Sequence, residues 1–433
     1  MNSTLKPFDL ISLGFMTFAF FLGAGNIIFP TMAGMLAGEA MWPAMLGFLL
    51  TAVGLPLLGL FAVARAGGGV AKMTQLLHPG IGIAISVVIF IIIGPLIAAP
   101  RTGLVAYELS LRAYSETPVL SQLSYSLLFF GLAALLALYP GRLMDSIGKI
   151  LTPLLIVLLL VLAVTVMLAS GRETLPTAEQ YLVAPLAQGI VDGYNTMDAL
   201  ASIMFGMLII DLLVKKGITE PSQQYRCLVW AALIAAAGLA VVYVSLFFLG
   251  AGFGLPGAAS GGEILTHFVA SQYGGLGMIV LGGVITLACL TTAVGLLSAC
   301  SDYFSQLVPI SYRQFVVINA LCCLAVANLD LSVLISYSIP VLVAVYPMAI
   351  SLMLYSLSRQ WLGLPREALL SILVVSVFFG AVEGLKVLGF SLAWLAWMPG
   401  FSVGLAWALP CLLVLLAFFV LGRVQERQAS ASA

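Results

Sequence analysis

FFLGAGNIIFP, residues 20–30, puts two glycines and an asparagine inside an apolar run long enough to cross a bilayer. A membrane span must satisfy its backbone N–H and C=O groups internally, and a helix does so only while it continues. Gly23 and Gly25 loosen that helix, and Asn26 adds a polar side chain at the same depth. Unpaired backbone is tolerated there only where it faces protein or a water-lined cavity, so the stretch predicts a broken helix around an internal polar site. The competing reading is a glycine face for close helix packing.

The rest of the chain agrees with a membrane setting. Of its 433 residues 62% are hydrophobic and 8% charged, against about 25% charged in soluble domains. Apolar runs recur from end to end and no polar stretch is long enough to fold separately. The expectation is an all-α polytopic membrane protein in one transport domain, 1–433. Only Lys6 precedes the first run and no small-x-small pattern follows it, which reads as a retained first span. The six cysteines lack metal-ligand spacing and read as small core residues. Zero net charge with no basic tail leaves nothing for nucleic acid, and the absence of a Gly-Lys-Ser/Thr phosphate loop argues against ATP driving.

At roughly 20 apolar residues per crossing, twelve candidate spans lie near 8–34, 42–64, 80–111, 118–139, 147–169, 189–213, 224–252, 274–300, 312–329, 331–357, 367–386 and 390–421. A cytoplasmic N-terminus places thirteen Lys and Arg inside, including Lys6, Arg65, Arg142, Lys215 and Arg366. Only Arg112, Arg172 and Lys386 then fall outside, with Arg101 in the membrane. That asymmetry predicts an even number of spans and both termini in the cytoplasm.

A second interruption, GYNTMD at 193–198, brings Gly, Tyr, Asn, Thr and a carboxylate into the sixth expected span. Asn26 and Asn195 are 169 residues apart, about five spans, so spans one and six hold corresponding positions in two five-span halves, 8–169 and 189–357. Helices 367–421 are then an extra pair. An odd number of spans per half gives the halves opposite topology, and paired breaks mark the binding site of an inverted-repeat secondary transporter. Exposed N–H groups at a half-helix N-terminus attract a carboxylate, while exposed carbonyls attract Na⁺ or an ammonium. A zwitterionic amino acid satisfies both.

Other polar residues carry two readings each. Arg101 follows two prolines in GPLIAAPRTG, 94–103; an intramembrane Arg is a functional candidate, here a gate, or else a snorkelling or paired residue with Glu108 as partner. Asp198 is a cation or proton carrier, or caps the inner half-helix. Thr291 and Thr292 in LACLTTAVGL, 287–296, are hard oxygen donors for Na⁺ or bond their own helix one turn back. Ser336, Tyr337 and Ser338 before Pro340 suggest a kinked helix that lines or gates the pathway. Glu383 and Lys386 suit a local ion pair. An intramembrane enzyme would need a histidine cluster, paired acids or a nucleophile with its base, and a channel a continuous polar lining; neither pattern is present.

These motifs, with SIPVLVAVYP at 338–347, resemble the branched-chain amino acid:cation symporters, the bacterial LIVCS or BrnQ-type permeases of the amino acid–polyamine–organocation superfamily. The resemblance covers nearly the whole chain in order. It implies the leucine-transporter-type 5+5 inverted repeat with broken helices 1 and 6, and uptake of leucine, isoleucine and valine across the inner (cytoplasmic) membrane. Na⁺ or H⁺ is the implied coupling ion, and no cofactor is implied. By this resemblance Gly23, Ala24, Gly25 and Asn26 hold the substrate carboxylate, while Tyr194, Asn195 and Thr196 face the amino group and side chain. Thr291 and Thr292 complete a Na⁺ site with the carbonyls of Ala19 and Leu22. An apolar pocket from spans three, six and eight would select branched side chains. The alternatives are proton-coupled transport of another small neutral amino acid or zwitterion, and a channel.

Overall fold

The structure is a computed structural model that describes residues 7–112, 118–139, 149, 152–171 and 173–431. Lys6, Arg142, Arg172 and the opening residues of the expected fifth span lie outside these. Among the described residues every regular element is helical, apart from one isolated bridge between Glu173 and Phe253.

The opening stretch breaks where its composition predicts. Helix Pro7–Phe21 ends, Leu22, Gly23 and Ala24 are non-helical, and helix Gly25–Ala37 begins. Asn26 fixes the break from within, because its Oδ1 accepts from the Gly23 amide at 3.2 Å. It reaches back three residues, the same span as in a capping box, but from the second residue of the helix to the one before the N-cap. The second break is also a bend. Helix Pro185–Gly193 runs through a 3₁₀ turn, Tyr194–Thr196, into helix Asp198–Lys215 with a bend of 43°. Between them Met197 has φ 63°, the one non-glycine with positive φ among the described residues. Such a backbone costs on the order of 1–3 kcal/mol and persists only where its surroundings impose it.

A third break lies in the expected span three. Helices Pro79–Ile91 and Ala98–Ser110 are separated by a wide turn, Ile92–Leu96, in which Gly94 is non-helical and Pro95 withholds its N–H. Arg101 sits in the first turn after it. Gly274 likewise divides the run Gly261–Leu307, at φ 59° and ψ −149°.

Among the described residues six helices are long and apolar enough to cross a membrane alone, and the bent pair makes a seventh. Five shorter apolar helices of 10–17 residues occupy the other expected crossings. The continuous run Gly25–Ala66 joins the second half of the first expected span to the second. Twelve crossings therefore stay an expectation from sequence. Of the six cysteines, all free, four are buried, Cys227 is half-buried and Cys322 exposed. Glu383 and Lys386 pair at 3.7 Å, and Glu383 also accepts from the Ala406 amide at 3.2 Å, tying down the segment before the last helix.

Glycines set close packing away from the break as well. Helix Gly25–Ala37 lies against helix Pro221–Gly252, where a Cβ on Gly34 would run into the Phe247 carbonyl and one on Gly250 into that of Thr31. Gly250→Val is accordingly expected to destabilise the protein by about 1–3 kcal/mol through overpacking. A lowered melting temperature in detergent, not shared by Gly422→Val, where nothing lies within 4 Å, is the check.

Candidate functional site

The two main breaks meet in the protein interior. From the first, Asn26 donates through Nδ2 to Asp198 Oδ2 at 2.5 Å and also to the hydroxyl of Tyr243. Tyr243 in turn donates to the same Asp198 oxygen at 2.7 Å. All three side chains are buried. A buried carboxylate is tolerable only with such donors around it, so Asp198 ties both half-helices and helix Pro221–Gly252 together. It does not cap its own helix, whose N-cap Met197 makes no side-chain bond. The expectation of a capping role is corrected: the carboxylate turns across the break. Thr196 serves locally instead, donating to the Gly193 carbonyl at 2.9 Å and accepting from the Asp198 amide at 3.4 Å.

On the other side of the first break, oxygens gather. Thr291 Oγ1 and Thr292 Oγ1 each lie 3.1 Å from the Ala19 carbonyl oxygen, and Thr291 Oγ1 lies 2.8 Å from that of Ala288. Thr291 thus bonds its own helix one turn back and also reaches across to the Ala19 carbonyl, with its single proton divided between the two. The helix end at Phe21 leaves the neighbouring Leu22 carbonyl outside any helical ladder. Carbonyl and hydroxyl oxygens in one cluster are the donor set of a hard cation.

Arg101 faces the breaks from span three. Its Nη2 donates to the Asn195 carbonyl at 2.8 Å, and its guanidinium lies 5.1 Å from the Phe29 ring. Glu108 is not its partner, because that carboxylate pairs with Arg112, four residues on and just past the end of helix Ala98–Ser110.

A void of about 20 Å³ lies between these groups, room for about one water. Gly23, Ala24, Gly25, Asn26, Arg101, Thr196, Asp198 and Thr292 line it, with Phe21, Ile93, Ala98, Ala201, Phe205 and Leu296 as its apolar wall. Phe205 stacks on Phe20 and meets Phe21 edge-on, at centroid distances of 5.2 and 5.3 Å. A space of that size holds no amino acid, so a larger occupant requires these walls to part.

Three expected residues fall elsewhere. Tyr194 and Asn195 do not line the void; Tyr194 stacks on Tyr346 at 4.2 Å. Tyr337 is 72% exposed, whereas Tyr346 of the same helix is buried against Tyr194. The two are nine residues, or half a turn out of phase, on helix Leu331–Leu362. Tyr243 was missed altogether, since one tyrosine in a long apolar helix carries no signal until its partners are known.

A family profile described as "Branched-chain amino acid transport protein" matches residues 6–425. The chain is 44% identical to the branched-chain amino acid transport system 2 carrier protein of Pseudomonas aeruginosa over 99% of both chains. It is 39% identical to the permease BrnQ of Escherichia coli over the full length of both. Among solved structures it is similar to MhsT in complex with L-phenylalanine, at TM-score 0.55 and 18% identity, covering 94% of this chain and 98% of that one. Mhp1, a nucleobase-cation-symport-1 family transporter in a closed conformation, matches at TM-score 0.54 and 14% identity, covering 98% and 97%. Those two likenesses establish the fold alone: the leucine-transporter type with broken first and sixth helices. It is a multi-pass membrane protein whose relatives are carriers and permeases, not enzymes. The chain belongs to the branched-chain amino acid transport protein family.

Proposed function

We propose that the protein is a secondary active symporter that imports leucine, isoleucine and valine with Na⁺, by alternating access across the cytoplasmic membrane. The observation that carries this is the convergence on one broken helix: Thr291 and Thr292 meet its Ala19 carbonyl, and Asp198 of the second broken helix meets its Asn26. A cation at the oxygen cluster would bind both the first half-helix and helix Gly261–Leu307. It would thereby favour one arrangement of the two and raise affinity for substrate at the adjoining break, a coupling that is reciprocal. The relatives' names support branched-chain amino acids as the substrate class. The Phe, Ile, Leu and Ala wall suits such side chains. One methylene is worth only about 1–3 kcal/mol in such a wall, so selection among the three substrates should be weak. The Lys and Arg asymmetry supports twelve crossings with both termini in the cytoplasm.

Proteoliposome uptake of radiolabelled leucine tests the reading. Uptake should follow an imposed Na⁺ gradient and show saturable counterflow; uptake that ignores Na⁺ and collapses with a proton ionophore would sink Na⁺ coupling. Proton coupling is the second reading, favoured by a buried carboxylate, Asp198, at the centre of the site.

Removing both hydroxyls, Thr291→Ala with Thr292→Ala, is expected to raise the Na⁺ concentration for half-maximal uptake by about 10- to 100-fold, the scale of losing ligands to a charged group. Thr292→Ser keeps the oxygen and should stay near wild type. Na⁺ titrations of initial uptake rate decide it.

A further inference from the structure

Arg101 is only 2% exposed, yet most of its donors are unused. Of five N–H groups on a guanidinium, one is spent on the Asn195 carbonyl, and Nε and Nη1 have no hydrogen-bond partner among the described residues. No carboxylate forms an ion pair with it there. Asp198, the nearest candidate in charge, gives its oxygen to Asn26 and Tyr243. Burying a cation with unmade bonds is costly unless something completes them.

Its position says what that something is. A Cβ added to Gly25 would come within 2.5 Å of Arg101 Nη2, so the guanidinium presses against the first residue of helix Gly25–Ala37. The first amides of that helix have no intrahelical acceptors, and its N-terminus is the positive end of the dipole. Two positive groups thus face one void, which both Arg101 and Gly25 line. An anion between them would be held by both, while the Asp198 carboxylate, which lines the same void, leaves a place for an ammonium.

We propose that Arg101 receives the α-carboxylate of the substrate, together with the opening amides of helix Gly25–Ala37. This rests on the reading of the breaks as an amino acid site. It differs from a gating role, in which Arg101 would change rates of opening without distinguishing one ligand from another. It also gives Gly25 its reason: a side chain there would occupy the space shared by the guanidinium and the carboxylate.

The test is a ligand comparison in purified transporter at saturating Na⁺. Leucine and isoamylamine share the isobutyl group and the ammonium, and only leucine has the carboxylate. In Arg101→Gln the preference for leucine over isoamylamine should fall by about 10- to 100-fold, the scale of a hydrogen-bonded charge. In Arg101→Lys, which keeps the charge and loses the planar fork, it should fall by about tenfold; this variant carries the test if Arg101→Gln does not fold. A preference that stays at the wild-type value, whether both ligands weaken alike or neither changes, overturns the assignment. Wild-type protein that binds no leucine overturns the transport reading itself, an outcome visible before any variant is measured.

Discussion

Asp198→Ala is expected to cut leucine accumulation in proteoliposomes by roughly 100- to 1,000-fold, the scale of removing one member of a buried charged network. The reason lies in what the carboxylate holds. Asn26 Nδ2 and the Tyr243 hydroxyl both point at Asp198 Oδ2, and alanine leaves them without an acceptor in a buried site. Asn26 also pins the Gly23 amide through its other side-chain atom. Loss of Asp198 therefore frees the first break as well as the second. Asp198→Asn separates geometry from charge, because its side-chain carbonyl can still accept from Asn26 or Tyr243. If the charge carries the coupling ion, this variant should exchange leucine across the membrane yet fail to concentrate it. If Asp198 only positions Asn26, accumulation should survive in Asp198→Asn and disappear in Asp198→Ala. Full accumulation by Asp198→Ala would remove the joined breaks from the mechanism. Repeating the wild-type assay without Na⁺, under an imposed pH gradient, tells which ion is involved.

The breaks were legible because lipid makes them expensive. Glycine, asparagine and aspartate inside apolar runs at 20–30 and 193–198 have no cheap explanation, and the structure breaks at both places. The detail of the second break was not legible. Gly193 is the residue that invites a left-handed turn, yet it is helical at φ −61°, and Met197 takes the positive φ. Gly193 is required for a different reason: a Cβ there would lie 2.6 Å from that of Thr51. Faces of helices were the other blind spot. A span that is apolar on all sides gives no moment to orient it, so Tyr337 and Tyr346 were indistinguishable in sequence, and so was Tyr243 from any core aromatic. Arg101 was recognisable as costly, but its neighbour was not. Glu108 was the acid nearest in sequence, and only the structure gives it to Arg112, four residues on.

Gly25→Ala and Gly23→Ala, two residues apart, are expected to fail in different ways. A methyl on Gly25 would lie 2.5 Å from Arg101 Nη2 and 3.0 Å from the Asn195 carbonyl oxygen. The guanidinium is buried and tethered to that same carbonyl, so neither neighbour yields freely. Overpacking of about 1–3 kcal/mol falls where substrate is proposed to bind, and leucine affinity should drop by about 10- to 100-fold. Saturating Na⁺ should not restore it. A methyl on Gly23 instead meets Thr292, at 3.0 Å from Cγ2 and 3.2 Å from Oγ1, and displaces one oxygen of the cluster on Ala19. The Na⁺ concentration for half-maximal uptake should rise by about tenfold. Leucine affinity would weaken too at low Na⁺, because coupling between two ligands is reciprocal. It should recover as Na⁺ saturates, since the substrate's own contacts are intact. Equilibrium leucine binding at low and at saturating Na⁺ measures both variants in one experiment. Identical Na⁺ dependence in the two would mean that the break does not divide into an ion side and a substrate side.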